Sequence, residues 1–256
     1  MRDKFAASFA EELGALWKKT DPRIKAALGA LAGYGAYKGV AEAAAGKLYA
    51  GAMKGVEDVE DDAPRRIEED EKGSEVLKWI TRFRDRHPAS ASVPVYVSGR
   101  VPGSLYVPEA ALKVPGVKGV LQKEHGIEEP GVYLREYSAS TALHELGHAE
   151  VEKKVPGISL LTHGASLMAL APLAWMLLRK PGAKPAFLDR YAPAIAGALQ
   201  IPMLAEEAAA SIIAENTLRG EGESGGKILV PAWLSHAAVK AKWPLMAAGA
   251  AIMRKA

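Results

Sequence analysis

The sequence predicts a mainly α protein with a small β element, an α+β fold, and three observations carry that expectation. Alanine-rich stretches towards both ends show helical spacing, one internal stretch changes to valine, proline and glycine, and cysteine is absent. At 256 residues the chain is long enough for one main core with a smaller leader. Alanine supplies 47 of those residues, so much of the 49% hydrophobic content serves close helix packing rather than core volume. Without thiols there are no disulfides and no thiolate metal sites, and any metal falls to histidine and carboxylate. A formal charge of +3, with no basic stripe carrying interleaved aromatics, excludes a nucleic-acid partner from the expectation.

Three parts follow along the chain: an alanine-rich helical leader over 1–56, an acidic linker over 57–75 and a main domain over 76–256. In the leader, Phe5, Phe9, Leu13 and Trp17 form an amphipathic stripe, and Asp21-Pro22 supplies a cap and a first-turn proline for a second helix. Charges at Glu11, Glu12, Lys18 and Lys19 interrupt any apolar core of a signal, so no cleavable signal peptide is expected. The linker holds ten acids against three bases and reads as a solvated segment with little fixed structure. A short helix is expected over 76–86. The stretch SVPVYVSGRVPGSLYVPEAALKVPGVKG reads as short strands joined by turns, with 93–97 and 104–107 as candidates, the prolines marking edges or strand ends.

The informative segment is STALHELGHAEVEKKVPG. Ser140 can cap a helix there, and Pro156-Gly157 ends it. His144 and His148 are four residues apart, so their imidazoles project from one helix face and can meet one ion. Glu145 follows the first histidine directly and suits a base acting on a water at that ion. Gly147 permits another element to approach the helix backbone. Two histidines leave a tetrahedral site short of a third protein ligand. Position 151 is valine and position 154 lysine, so the third comes from elsewhere, and Glu206 and Glu207 within the apolar LAEEAAASIIAEN are the best offer.

H144-E-L-G-H148, followed some sixty residues later by E207-A-A-A-S211-I-I-A214, resembles the gluzincin metallopeptidases, in particular membrane zinc peptidases of the YugP and HtpX kinds and related phage or prophage proteins. The resemblance covers about 75 residues, from 138 to 214, including the apolar stretches between the motifs. It implies a zincin-like metallopeptidase domain over 76–256 with a helical hairpin between the metal-binding helices. It further implies that His144, His148 and Glu207 bind Zn2+ and that Glu145 is the catalytic base. Ser211 stands where some members carry a supporting aspartate, which makes that support uncharged. Glu206 is the alternative ligand and would shift the register by one; His163 is a further polar candidate, read first as a packed helix residue.

Residues 158–178 form a run free of Asp, Glu, Lys and Arg and long enough to span a bilayer, followed by a basic loop and a return arm over 188–205. A buried hairpin in a soluble fold has the same composition, so membrane-associated and cytoplasmic locations both stand. The function these readings support is a zinc-dependent endopeptidase acting on a peptide or protein substrate, with a membrane as a further partner. The alternative is a catalytically inactive, metal-stabilised scaffold or membrane-interaction protein. The strands at 93–107 offer an edge to which a substrate peptide can add.

Overall fold

The computed structural model describes residues 19–60, 63–180, 187–224, 229–230, 233–234, 237–238 and 240–255. The aromatic stripe at Phe5 to Trp17 lies outside them. The described chain is mostly helical with a small mixed sheet and divides into two compact units. One comprises the described parts of 1–43, 166–200 and 238–256; the other comprises those of 44–165 and 201–237.

The second unit is built on a four-stranded sheet of β1 (Arg65–Arg66), β2 (Val95–Val97), β3 (Leu105–Val107) and β4 (Gly131–Leu134), in the order β1-β2-β4-β3. β1 runs antiparallel to β2, β2 parallel to β4 and β3 antiparallel to β4, with Val97 opposite Leu134 and Tyr106 opposite Val132. Val95, Val97, Val132 and Leu134 are buried in one core with Ile80 and Phe83 of α3 (Ser74–Arg86) and Leu143 and Leu146 of α6 (Ala139–Lys154). α3 reaches that core because Val76, Ile80 and Phe83 recur at helical spacing while its other face carries charge. α10 (Ile201–Arg219) packs along α6, and α7 (Ile158–Met168) follows the turn at Gly157, whose φ of +83° suits glycine.

Several sequence expectations change here. The strands expected at 93–97 and 104–107 are shorter, and β2 lies inside the sheet, with Pro94 just outside its first residue. β1 carries little strand signal of its own and forms because β2 offers a partner, and β4, whose Val132 and Tyr133 favour a strand, joins the sheet between β2 and β3. Beyond β3 the chain is helical, as α4 (Glu109–Leu112) and α5 (Pro115–His125): Pro115 starts α5 where its missing N–H costs nothing, and Gly126 ends it at φ +67°. α6 is capped by Ser138 rather than Ser140, its Oγ accepting from the Thr141 N–H at 3.2 Å.

The acidic segment, expected to have little fixed structure, is built into the sheet through backbone hydrogen bonds. The Val59 N–H donates to the Arg135 carbonyl at 2.8 Å and the Tyr137 N–H to the Glu57 carbonyl at 2.9 Å. Asp70 then gathers the Lys72 N–H, the Arg65 guanidinium at 2.7 Å and the Tyr137 hydroxyl at 2.9 Å, a set of donors that satisfies a buried carboxylate.

The first unit is helical: α1 (Pro22–Ala36), α8 (Ala171–Leu178), α9 (Phe187–Ala198) and α11 (Lys242–Lys255). Asp21 caps α1 by accepting from the Arg23 N–H at 2.7 Å. A π-helical turn over Tyr37–Glu42 leads from α1 into α2 (Ala43–Ala52). α1 and α11 meet backbone to backbone: a Cβ on Gly29 would lie 2.1 Å from the Gly249 carbonyl oxygen, and one on Gly33 2.3 Å from that of Leu245. One run, Ile158–Leu178, is long and apolar enough to cross a membrane, and a turn at 169–170 divides it into α7 and α8. The return arm ends with α9 at Ala198, and 201–205 belong to α10.

Candidate metal centre

α6 buries nine of its sixteen residues, and His144, Glu145 and His148 lie in its middle turns. α10 crosses it at Gly147, where a Cβ would stand 2.6 Å from the Ala210 carbonyl oxygen; only glycine permits this approach. The crossing brings Glu207, one turn earlier on α10, against both histidines. His144 Nε2 and His148 Nε2 are 3.3 Å apart, and Glu207 Oε2 is 3.4 Å from each. Three donors bound to one tetrahedral ion at about 2.0–2.1 Å stand about 3.3–3.4 Å from one another, so this triangle fits one face of such a coordination sphere. The His144, His148 and Glu207 cluster, the first and third of them buried, can therefore hold a metal ion.

The outer nitrogens of both rings are also engaged. His144 Nδ1 lies 3.2 Å from Ser211 Oγ, and His148 Nδ1 lies 3.2 Å from Glu206 Oε1. With the ring hydrogens placed on Nδ1, both Nε2 lone pairs turn to the same point, the tautomer a metal requires. Glu206 and Glu207 thus divide the work: Glu207 joins the triangle, and Glu206 sits behind His148. Glu206 is itself held by α7, accepting from Ser159 Oγ at 2.8 Å and from Thr162 Oγ1. Ser159 and Thr162 had no signal in the sequence beyond being hydroxyls three apart in an apolar run.

The electrostatics favour a cation. Burial alone would push the His148 imidazole down, yet hydrogen bonds to Glu206 and Glu207 and the charges of Glu207 and Glu145 outweigh it and raise it to about 10. Burial likewise would raise Glu206, but His148, Thr162 and Ser159 hold it below the ordinary carboxylate range. Glu136, between β4 and α6, behaves oppositely: burial lifts it, the Ser104 and Thr141 hydroxyls oppose this, and the charge of Glu145 adds to the rise. Nothing in the polar strand-to-helix junction Arg135-Glu136-Tyr137-Ser138 singles it out in the sequence.

Glu145 opens onto a cleft of about 380 Å³ together with His144, His148, Glu206 and Glu207. β3 forms one wall through Leu105, Tyr106 and Val107, and Leu160 and His163 of α7 contribute another. β3 is the last strand of the sheet, paired with β4 on one side. His163 is exposed, and since a carbonyl only accepts, its Nδ1 donates to the Ser159 carbonyl at 2.7 Å. Of the tyrosines close in sequence to the motifs, Tyr133 donates to the Glu129 carbonyl and Tyr137 to Asp70, and neither lines the cleft. Tyr106 does, and burial raises its hydroxyl to about 12, so it stays protonated at neutral pH. Comparison with family models, with curated proteins and with solved structures returns no match.

Proposed function

We propose that the chain is a zinc-dependent endopeptidase of gluzincin type, with His144, His148 and Glu207 as the zinc ligands and Glu145 as the general base. The single observation that carries this reading is the triangle of two Nε2 atoms and one carboxylate oxygen with sides of 3.3–3.4 Å, beside a glutamate that lines the same cleft. The donor set fits zinc: two neutral imidazoles and a carboxylate leave a coordination position for catalysis, whereas a purely structural site uses four protein ligands. A zincin-like arrangement is further supported by a sheet whose last strand borders the cleft and by two crossing helices that bring the ligands together.

Bound zinc supplies a Lewis acid that lowers the pKa of a water and polarises a carbonyl. Glu145 takes the proton from the attacking water and passes it to the leaving amine, so that one carboxylate serves both halves of the reaction. Ser211 and Glu206 hold the two rings in the productive tautomer. β3 offers its outer edge to an extended peptide, and Tyr106, protonated in the cleft wall, is placed to donate to the substrate. The cleft wall from Leu105 to Leu121 is apolar and favours a substrate segment with an apolar side chain.

The test is metal analysis of the purified protein together with cleavage of a peptide mixture read by mass spectrometry. Stoichiometric zinc with new peptide termini, lost on chelation and restored by zinc, supports the reading. Stoichiometric zinc without any cleavage supports the inactive, metal-stabilised scaffold instead.

A further inference from the structure

The two units of this chain fill their cores with side chains of different size. The sheet-containing unit puts its large residues inside, among them Ile80, Phe83, Leu143 and Leu146. The helical unit of α1, α8, α9 and α11 fills the centre of its core mainly with small residues. Seven of the nine described residues buried in its core are alanines, with Leu173 and Met176 as the exceptions. Large side chains also face outward, with Leu31 63% exposed, Leu178 80%, Phe187 69% and Ile252 66%, while Leu177, Leu199, Trp243 and Met246 pack partly buried against the core. On α1, Ile24, Leu28 and Leu31 share a face at helical spacing and are all exposed. Polar groups are turned inward instead: Lys25 is buried, and Ser166 donates to Gln200 Oε1 at 2.7 Å between buried side chains.

In water this arrangement is the wrong way round, because burying large side chains is what stabilises a bundle. In a bilayer, lipid tails are as apolar as leucine, so helices associate through small residues and leave the large ones to the lipid. The glycine contacts between α1 and α11 provide that association. The exposed apolar residues lie on all four helices, which suits a surrounding solvent better than a protein partner covering one face. We propose that this helical unit inserts into a lipid bilayer. The occupant of its apolar surface is acyl chain, and basic residues at the helix ends, including Arg23, Arg179 and Lys242, meet anionic headgroups. α8, α9 and α11 have eight, twelve and fourteen residues, about 12, 18 and 21 Å, so they enter a hydrocarbon core of about 30 Å without crossing it alone. This inference is independent of the proposed chemistry, since no residue of the metal centre belongs to the helical unit.

The experiment is flotation of the full chain with vesicles of phosphatidylcholine containing roughly 30% phosphatidylglycerol. The protein is expected to float with the vesicles at both physiological salt and about 1 M NaCl, since apolar insertion is not screened. Leu31→Glu combined with Leu178→Glu is expected to reduce the floated fraction more than tenfold while the circular dichroism stays unchanged. A readout that needs no variant fold is quenching of wild-type tryptophan fluorescence by brominated lipid, with the component assigned to Trp175 missing in Trp175→Phe. Protein that remains unbound and self-associates through this surface would overturn the proposal in favour of a second copy. Binding only at low salt would overturn it in favour of headgroup attraction alone, and a monodisperse, unbound monomer would overturn it outright.

Discussion

Gly147→Ala tests how the metal centre is built, because the change adds one methyl group at the helix crossing and touches no ligand. The new Cβ would stand 2.6 Å from the Ala210 carbonyl oxygen and 2.9 Å from the Ala210 Cα, both backbone atoms that no rotamer change can move. An ordinary contact needs about 3.5 Å, so α10 must retreat by roughly 0.9 Å. Carried rigidly to Glu207, one turn away, that retreat lengthens its 3.4 Å separations from the histidines towards about 4 Å. Metal sites tolerate deviations of about 0.2 Å in ligand distance, so zinc affinity should fall at least tenfold. Overpacking should cost about 1–3 kcal/mol, reduced by up to about 1 kcal/mol because alanine favours a helix over glycine. Gly119→Ala is the control: it lies within α5 with nothing within 4 Å of the added Cβ, and it should stabilise slightly. The assay is chemical denaturation of the metal-free protein with zinc affinity measured by chelator competition. A Gly147→Ala protein as stable as the parent and with unchanged affinity would refute the crossing argument.

Other expectations follow from the same geometry. Glu145→Gln should keep stoichiometric zinc and lose peptide hydrolysis by about 10²- to 10⁴-fold; a metal-loaded variant of full activity would remove Glu145 from the role of base. His148 is raised above its ordinary 6.5 to about 10, so in the metal-free protein its charged form contributes stability fully present below about pH 6.5 and lost as pH rises through about 10. Zinc must displace that proton, so apparent zinc affinity should rise about tenfold per pH unit between pH 7 and 9, and a flat profile would contradict it. Glu206→Gln should flatten the profile and weaken zinc binding by about 10- to 100-fold, measured by the same competition. Asp70→Ala should destabilise the protein by about 3 kcal/mol, since it leaves Arg65 and Tyr137 without the carboxylate that gathers them; a change below about 1 kcal/mol in urea unfolding would show the segment to be peripheral.

The legible parts of this molecule were those in which the cause is local. Asp21-Pro22 announces the start of α1, and the stripe Val76, Ile80 and Phe83 announces α3, because caps and faces are set by neighbours in sequence. The pairing of His144 with His148 is legible for the same reason: a helical turn fixes their spacing. β1 was not legible, because two arginines in an acidic run become a strand only once β2 lies beside them. Periodicity could not distinguish Glu206 from Glu207 either, and only the resemblance chose between them; the roles separate in space because adjacent helix positions point about 100° apart. Ser159 and Thr162 join the centre through tertiary approach to Glu206, which leaves no mark at any one position.

The helical unit is assembled from three stretches of chain, and Gly249 docks on Gly29 about 220 residues earlier. During synthesis, residues 44–237 leave the ribosome before α11 exists, so the sheet, α6 and α10 can close around a metal while α1 still lacks its helix partner. The order of synthesis lets the sheet-containing unit form first and leaves the longest loop to close last. In the interval the alanine and glycine face of α1 stands open, and it is this face that a chaperone would meet.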